Sequence, residues 1–168
     1  MGCAMDDSMV PEWVKQQAEK DRLKEAEAEV KACRQEATTL KIRDEAPAFW
    51  KQLLEQVQIN LNALGHLNLQ GSAQKIGCNQ KEKSTWQIVV SSPVPVLPHR
   101  WLELSYTIGS TNISCKPSHG EPYDLSFCVR EDMGDGALAI FFSDGISRDA
   151  EESGDFLIKD IVSHLRQD

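Results

Sequence analysis

The stretch Leu40-Lys41-Ile42-Arg43-Asp44-Glu45-Ala46-Pro47-Ala48-Phe49-Trp50 decides the reading of this chain, because the pattern of residues changes across it. Upstream, Glu12 to Glu45 contains no Gly or Pro and is dominated by Ala, Glu, Lys, Gln and Arg. These are good helix formers. Pro11 suits a first helical turn, where its missing N–H costs nothing, and Ser8 can cap that turn. A helix of about 34 residues spans roughly 50 Å. Pro47 disfavours helical geometry at Ala46. The spacing therefore predicts that this first helix ends near residue 45 and that a second one begins.

The apolar residues of the first helix are sparse but ordered. Leu23, Ala26, Val30, Cys33, Ala37 and Leu40 follow one another at intervals of 3, 4, 3, 4 and 3. That is a heptad seam. Carried backwards, the same register meets Glu19, Gln16 and Glu12, so the seam holds for only about two and a half heptads, short of the three or four that define a coiled coil. Leu23, Val30, Cys33 and Leu40 are candidate contacts for a partner or for weak self-association. Solvation and fold-back onto the chain's own domain are the competing fates of the arm.

Beyond Pro47, the residues Trp50, Leu53, Leu54, Val57, Leu61 and Leu64 make a broad stripe for a core-facing helix. Gly65 is its expected stop. Residues 66–84 are polar and read as a loop, with at most a short strand near Ala73–Cys78. Strands follow, each with period two. Trp86, Ile88 and Val90 mark one, and Leu102, Leu104, Tyr106 and Ile108 mark the next. Gly109-Ser110 is a hairpin turn, and Ile113 and Cys115 lie on the return strand. Leu125, Phe127 and Val129 alternate next. Met133-Gly134-Asp135-Gly136 turns the chain into Leu138, Ile140 and Phe142, and Asp144-Gly145 closes that strand. The prolines of Ser92-Pro93-Val94-Pro95-Val96-Leu97-Pro98 exclude a central strand there. Residues 149–167 read as a closing helix with Phe156, Ile158, Ile161, Val162 and Leu165 inward.

Period-two strands joined by short turns imply antiparallel neighbours with one buried face. The expected fold is α+β: an antiparallel four- to five-stranded sheet covered by two helices and preceded by a long charged N-terminal helix. The expected organisation is a disordered N-terminus at 1–10, a helical arm at 11–45 and an α+β domain at 46–168.

The net charge of -8 is uneven. Residues 1–45 carry 8 basic and 11 acidic side chains, residues 46–116 carry 6 and 3, and residues 117–168 carry 4 and 12. A phosphate-binding surface needs clustered Lys and Arg. Only Lys75, Lys81 and Lys83 come close, with Glu82 among them, so nucleic acid is not the expected partner. No apolar run reaches the roughly 18 residues of a membrane span. Met1 to Asp7 lacks the basic stretch and apolar core of a secretory signal. Gly2-Cys3 is followed by Asp6, where an acylation pattern wants Ser or Thr. Cys3, Cys33, Cys78, Cys115 and Cys128 form no CxxC pair, and reduced thiols in a cytoplasmic protein are the expectation.

Candidate reaction centres are weak. His66, His99, His119 and His164 are scattered, and the Cys115/His119 spacing crosses a Pro117 turn, so no metal ligand set is assigned. Glu131, Asp132 and Asp135 lack the order of a calcium loop and read as turn chemistry. No nucleophile elbow, Walker loop or dinucleotide fingerprint occurs, and no cofactor is expected. Trp101, beside His99 and Arg100, is a further candidate partner contact, since exposed aromatics beside a charge anchor partners. The sequence therefore points to a non-enzymatic interaction or assembly module. The alternative is a small-molecule-binding domain with its pocket between helices and sheet.

Overall fold

The computed structural model describes residues 10–77, 81–93, 99–130 and 136–166. The expectations for residues 1–9, for the proline-rich connection at 94–98, for the turn residues 131–135 and for Cys3 and Cys78 lie outside these residues. The chain divides into two compact units, residues 1–38 and residues 39–168.

Helix α1 runs over Glu12–Ala63 with Pro47 inside it, so the expected break into two helices does not occur. A proline within a helix removes one hydrogen bond and costs about 3 kcal/mol. Burial on both sides of it is larger. Ile42 and Ala46 before Pro47, and Phe49, Trp50, Leu53, Val57 and Leu61 after it, are all buried on one face. Each large apolar side chain contributes about 1.5–3 kcal/mol. Pro47 and Arg43, whose carbonyl loses its donor, are both exposed, so water can satisfy that carbonyl.

The expected stop at Gly65 is also displaced. A 3-10 turn covers Leu64–Leu67, and Asn68 ends it in the left-handed conformation at φ 55°. The Asn68 N–H donates to the Gly65 carbonyl and the Leu69 N–H to the Leu64 carbonyl. Asn is one of the few residues that adopts this conformation at low cost.

Among the described residues the sheet has seven strands rather than four or five. They are β1 (Gln70–Ile76), β2 (Lys83–Ser91), β3 (Arg100–Thr107), β4 (Asn112–Pro117), β5 (Tyr123–Val129), β6 (Leu138–Phe141) and β7 (Ser147–Arg148). They lie in sequence order, and every neighbouring pair is antiparallel. β1 overlaps the short strand expected near Ala73–Cys78 but starts earlier, inside the expected loop: Gln70 to Ile76 carries no alternating apolar pattern, yet it pairs along its whole length with Thr85–Ser91. Gly71 fits the close approach there. A Cβ at that position would stand 2.6 Å from Leu61 and 2.8 Å from Leu64, so the end of the α1 face presses directly on the strand.

The β3–β4 hairpin turns at Gly109, with φ 85°, and the Ser110 N–H donates to the Thr107 carbonyl. The chain also turns at Asp144-Gly145, where the Ile146 N–H donates to Asp144 Oδ1 at 3.0 Å. β7 then returns against β6.

Helix α2 spans Ala150–Leu165 and starts with a capping box. Asp149 Oδ1 accepts from the Glu152 N–H at 2.8 Å, and Glu152 Oε2 accepts from the Asp149 N–H at 3.0 Å. This satisfies two N–H groups at once. Ile158, Ile161 and Leu165 are buried as expected, Phe156 and Val162 are partly buried, and Leu157 joins the core. Gly154 lets the two helices approach. A Cβ there would lie 2.8 Å from Gln56 Cγ. Beside it, Asp155 Oδ1 accepts from Gln56 at 3.0 Å and from Asn60 at 2.8 Å, a polar clamp between α1 and α2.

One core joins the second half of α1, α2 and one sheet face. Leu53, Ile88, Leu104, Ile113, Ile140 and Leu157 lie at its centre. Phe127 stands edge-on to both Phe49 and Tyr106. The alternate residues of the strands point to the other face. There Thr85, Gln87, Glu103, Ser105, Ser114, Lys116 and Ser126 are half-buried or exposed.

Candidate functional site

The first candidate is the arm. Every residue from Lys15 to Ala37 is exposed. Local polar contacts help to support it: Gln17 donates to Asp21 at 3.0 Å, and the Thr38 hydroxyl to the Arg34 carbonyl at 2.9 Å. Leu23 is 56% exposed and Val30 54%, while Leu40 and Cys33 are exposed as well. These residues recur at heptad spacing on a helix, so they share one face. A shallow, mainly apolar groove of about 360 Å³ runs along it, lined by Leu23, Ala26 and Val30 with the stems of Glu27, Lys31 and Arg34. Trp13, 71% exposed at the start of α1, is a further large apolar surface that the seam did not predict. It falls outside the heptad stripe, so periodicity could not find it.

The second candidate lies in the domain of residues 39–168. A pocket of about 250 Å³ forms where the start of β3, the β4–β5 connection and the last turns of α2 meet. Trp101, the aromatic singled out from the sequence, lines it and is half-buried. Its backbone is tied to that connection. The Ser118 N–H donates to the Trp101 carbonyl at 2.8 Å, and Ser118 Oγ accepts from the Trp101 N–H at 3.2 Å. His119, Glu121, Tyr123, Asp160 and His164 complete the polar wall. His164 Nδ1 is 2.7 Å from the Asp160 carbonyl and 3.6 Å from its carboxylate. His119 and His164 are far apart in sequence, and only the fold brings them to one site. Among the described residues no group of three or more His, Cys, Asp or Glu side chains is placed to hold a metal ion.

Behind this pocket, Cys115 on β4 pairs with Tyr123 on β5. Burial pushes the Cys115 thiol up to about 12, against a weaker lowering by the Tyr123 hydrogen bond. Burial, then the neighbouring Cys115 and Asp160, push the Tyr123 phenol up as well, although the residue as a whole is 41% exposed. The thiolate is the nucleophile of a reactive cysteine. Cys115 stays protonated at neutral pH and serves as a small apolar residue. Cys128 is half-buried, and desolvation raises its thiol too.

A third depression, of about 530 Å³, crosses the polar sheet face between Lys83, Glu103, Ser105, Ser114, Lys116 and Asp124. Its lining mixes both charge signs, which gives no single ligand chemistry. Among the described residues no helix is long and apolar enough to cross a membrane. No protein-family model, curated protein or solved structure matches the chain.

Proposed function

We propose that this chain is a protein–protein interaction or assembly module that acts through its helical arm. The observation that carries this reading is the exposed apolar stripe of Leu23, Val30, Cys33 and Leu40 on the arm. A solvated helix has no use for apolar side chains at heptad spacing, whereas a helix that packs against another needs them at these positions.

Site-specific photo-cross-linking in cells that make the protein tests the reading. A cross-linking residue at Ala26, on the stripe, should give a discrete higher-mass adduct. The same residue at Ala28, off the stripe, should not. Equal adducts at both positions, or none at Ala26, would overturn it.

The pocket beside Trp101 supports a second reading, a small ligand that offers hydrogen-bond donors to Glu121 and Asp160 against an aromatic wall. Its volume of about 250 Å³ falls below the ~300–1,000 Å³ of sites that bury drug-sized ligands, which ranks it behind the arm. A thermal-shift screen of small amines, repeated on Tyr123→Ala, tests it. A stabilisation lost in that variant supports a ligand, and its persistence there removes the pocket as its source.

A further inference from the structure

We infer that the partner of the arm is a second copy of this chain, paired with it in parallel and in register over residues 22–37. The inference rests on the arm being the docking surface and adds what docks. The apolar stripe alone does not choose a partner. The charges beside it do.

Leu23, Val30 and Ala37 occupy the a positions of the heptad, and Ala26 and Cys33 the d positions. The flanking g positions are then Arg22 and Glu29, and the flanking e positions Glu27 and Arg34. All four are exposed. In a parallel pair of helices each g residue faces the e residue five places further along the other strand. Arg22 therefore faces Glu27 of the second copy, and Glu29 faces its Arg34. Both contacts join opposite charges, and two-fold symmetry makes each of them twice. The next repeat of the sequence, Glu36 and Lys41, continues the pattern.

The alternatives are penalised by the same residues. In an antiparallel pair g faces g and e faces e: pairing Leu23 with Cys33 sets Glu29 against Glu29 and Glu27 against Glu27, and pairing Leu23 with Leu40 sets Glu29 against Glu36, so neither antiparallel register is attractive throughout. A seven-residue slip of the parallel pair sets Arg22 against Arg34 and Glu29 against Glu27. Charges at e and g choose orientation and register more than they add affinity. The affinity comes from the short stripe, and the small side chains of Ala26, Cys33 and Ala37 limit it. The pair is therefore a concentration-dependent dimer. In register, Cys33 meets its own copy at a d position. Cα atoms there come within the roughly 7 Å that a disulfide needs.

The test uses the purified full-length chain and two charge-swapped variants, followed by light scattering and sedimentation over a range of concentrations. One variant carries Arg22→Glu with Glu29→Arg, the other Glu27→Arg with Arg34→Glu. Each alone brings like charges together at all four contacts, so each should dimerise at least tenfold more weakly than the parent chain. Mixed in equal amounts they restore all four attractive contacts and should form a one-to-one heterodimer as readily as the parent chain forms its dimer. Mild oxidation should cross-link the parent chain through Cys33, and Cys33→Ser should abolish this. The substituted residues are exposed, so circular dichroism should show both variants folded.

A parent chain that stays monomeric at high concentration, variants that dimerise like the parent, or a mixture that fails to recover would each overturn the inference. The outcome also separates it from the docking reading. A monomeric chain whose Ala26 cross-links to a different protein in cells removes self-pairing and keeps docking. A monomeric chain with no stripe-specific adduct removes both.

Discussion

The two parts of helix α1 share one secondary structure and differ in what supports it. From Glu12 to Thr38 no described residue is buried. From Thr39 to Ala63 seven residues are buried, and three of them, Ala46, Leu53 and Val57, are completely enclosed. The first part contains neither Gly nor Pro and rests on favourable propensity and local polar pairs. The second contains Pro47 and is helical regardless. Tertiary burial, rather than propensity, therefore supplies most of the helical stability where both can act. The arm lacks that support, and its exposed stripe is where a partner could provide it.

The sharpest way to break this comparison is a substitution at the core set against one in the arm. Leu104→Ala removes a completely buried side chain and should cost about 2–5 kcal/mol. Lys24→Ala, on the exposed arm, should change stability by less than about 0.5 kcal/mol. Urea unfolding of the two variants measures both, and similar costs would erase the distinction between the regions.

Pro47→Ala probes the claim that packing overrides the proline. It restores an N–H for the Arg43 carbonyl and removes the ring clash, so it should stabilise the chain by about 1–3 kcal/mol. A loss of stability would mean that the restricted proline backbone itself supports the helix.

Asp149→Ala isolates a local term at α2. It removes the side chain that accepts from the Glu152 N–H and should cost about 1 kcal/mol. The same change at Asp21, inside the exposed arm, should be nearly silent in a urea melt.

The smallest effect concerns pH. Arg148 grips Asp144 through two hydrogen bonds of 2.6 and 3.0 Å and lies over the Phe156 ring at 4.0 Å. Those hydrogen bonds hold the Asp144 carboxyl below its usual range. A group whose value is lowered by folding contributes stability above its unfolded value, about 3.9 for Asp, and that contribution fades as pH falls through the lowered folded value. The parent chain should therefore exceed Asp144→Asn in thermal midpoint at neutral pH. The gap should close as the solution is acidified below about pH 4. Asp144 is exposed, so screening keeps the difference small, and a gap that widens in acid would contradict the assignment.

Much of this molecule is legible from local patterns. The spacing of Leu23, Ala26, Val30, Cys33, Ala37 and Leu40 marks the arm stripe because a helix repeats every few residues. The alternation through Leu102, Leu104 and Tyr106 marks β3 because a strand repeats every two. Gly109-Ser110 places its turn through the backbone freedom of glycine. The alternation of charge at Arg22, Glu27, Glu29 and Arg34 is equally local and needs only the heptad register.

Local periodicity therefore specifies the elements: a charged helix with an apolar seam, an antiparallel sheet with one buried face, and a closing helix. Long-range packing sets where those elements end and which residues meet. Pro47 stays within a helix because Ile42 and Ala46 before it and Phe49 and Trp50 after it are buried in one core. The polar β1 is a strand because β2 supplies its hydrogen bonds and α1 closes over Gly71. His119 and His164 share a pocket because α2 ends beside the β4–β5 connection. Periodicity reports how one segment divides its faces between core and solvent. It carries no information about a distant segment, and here the distant segment supplied the burial, the hydrogen bonds or the second half of the site.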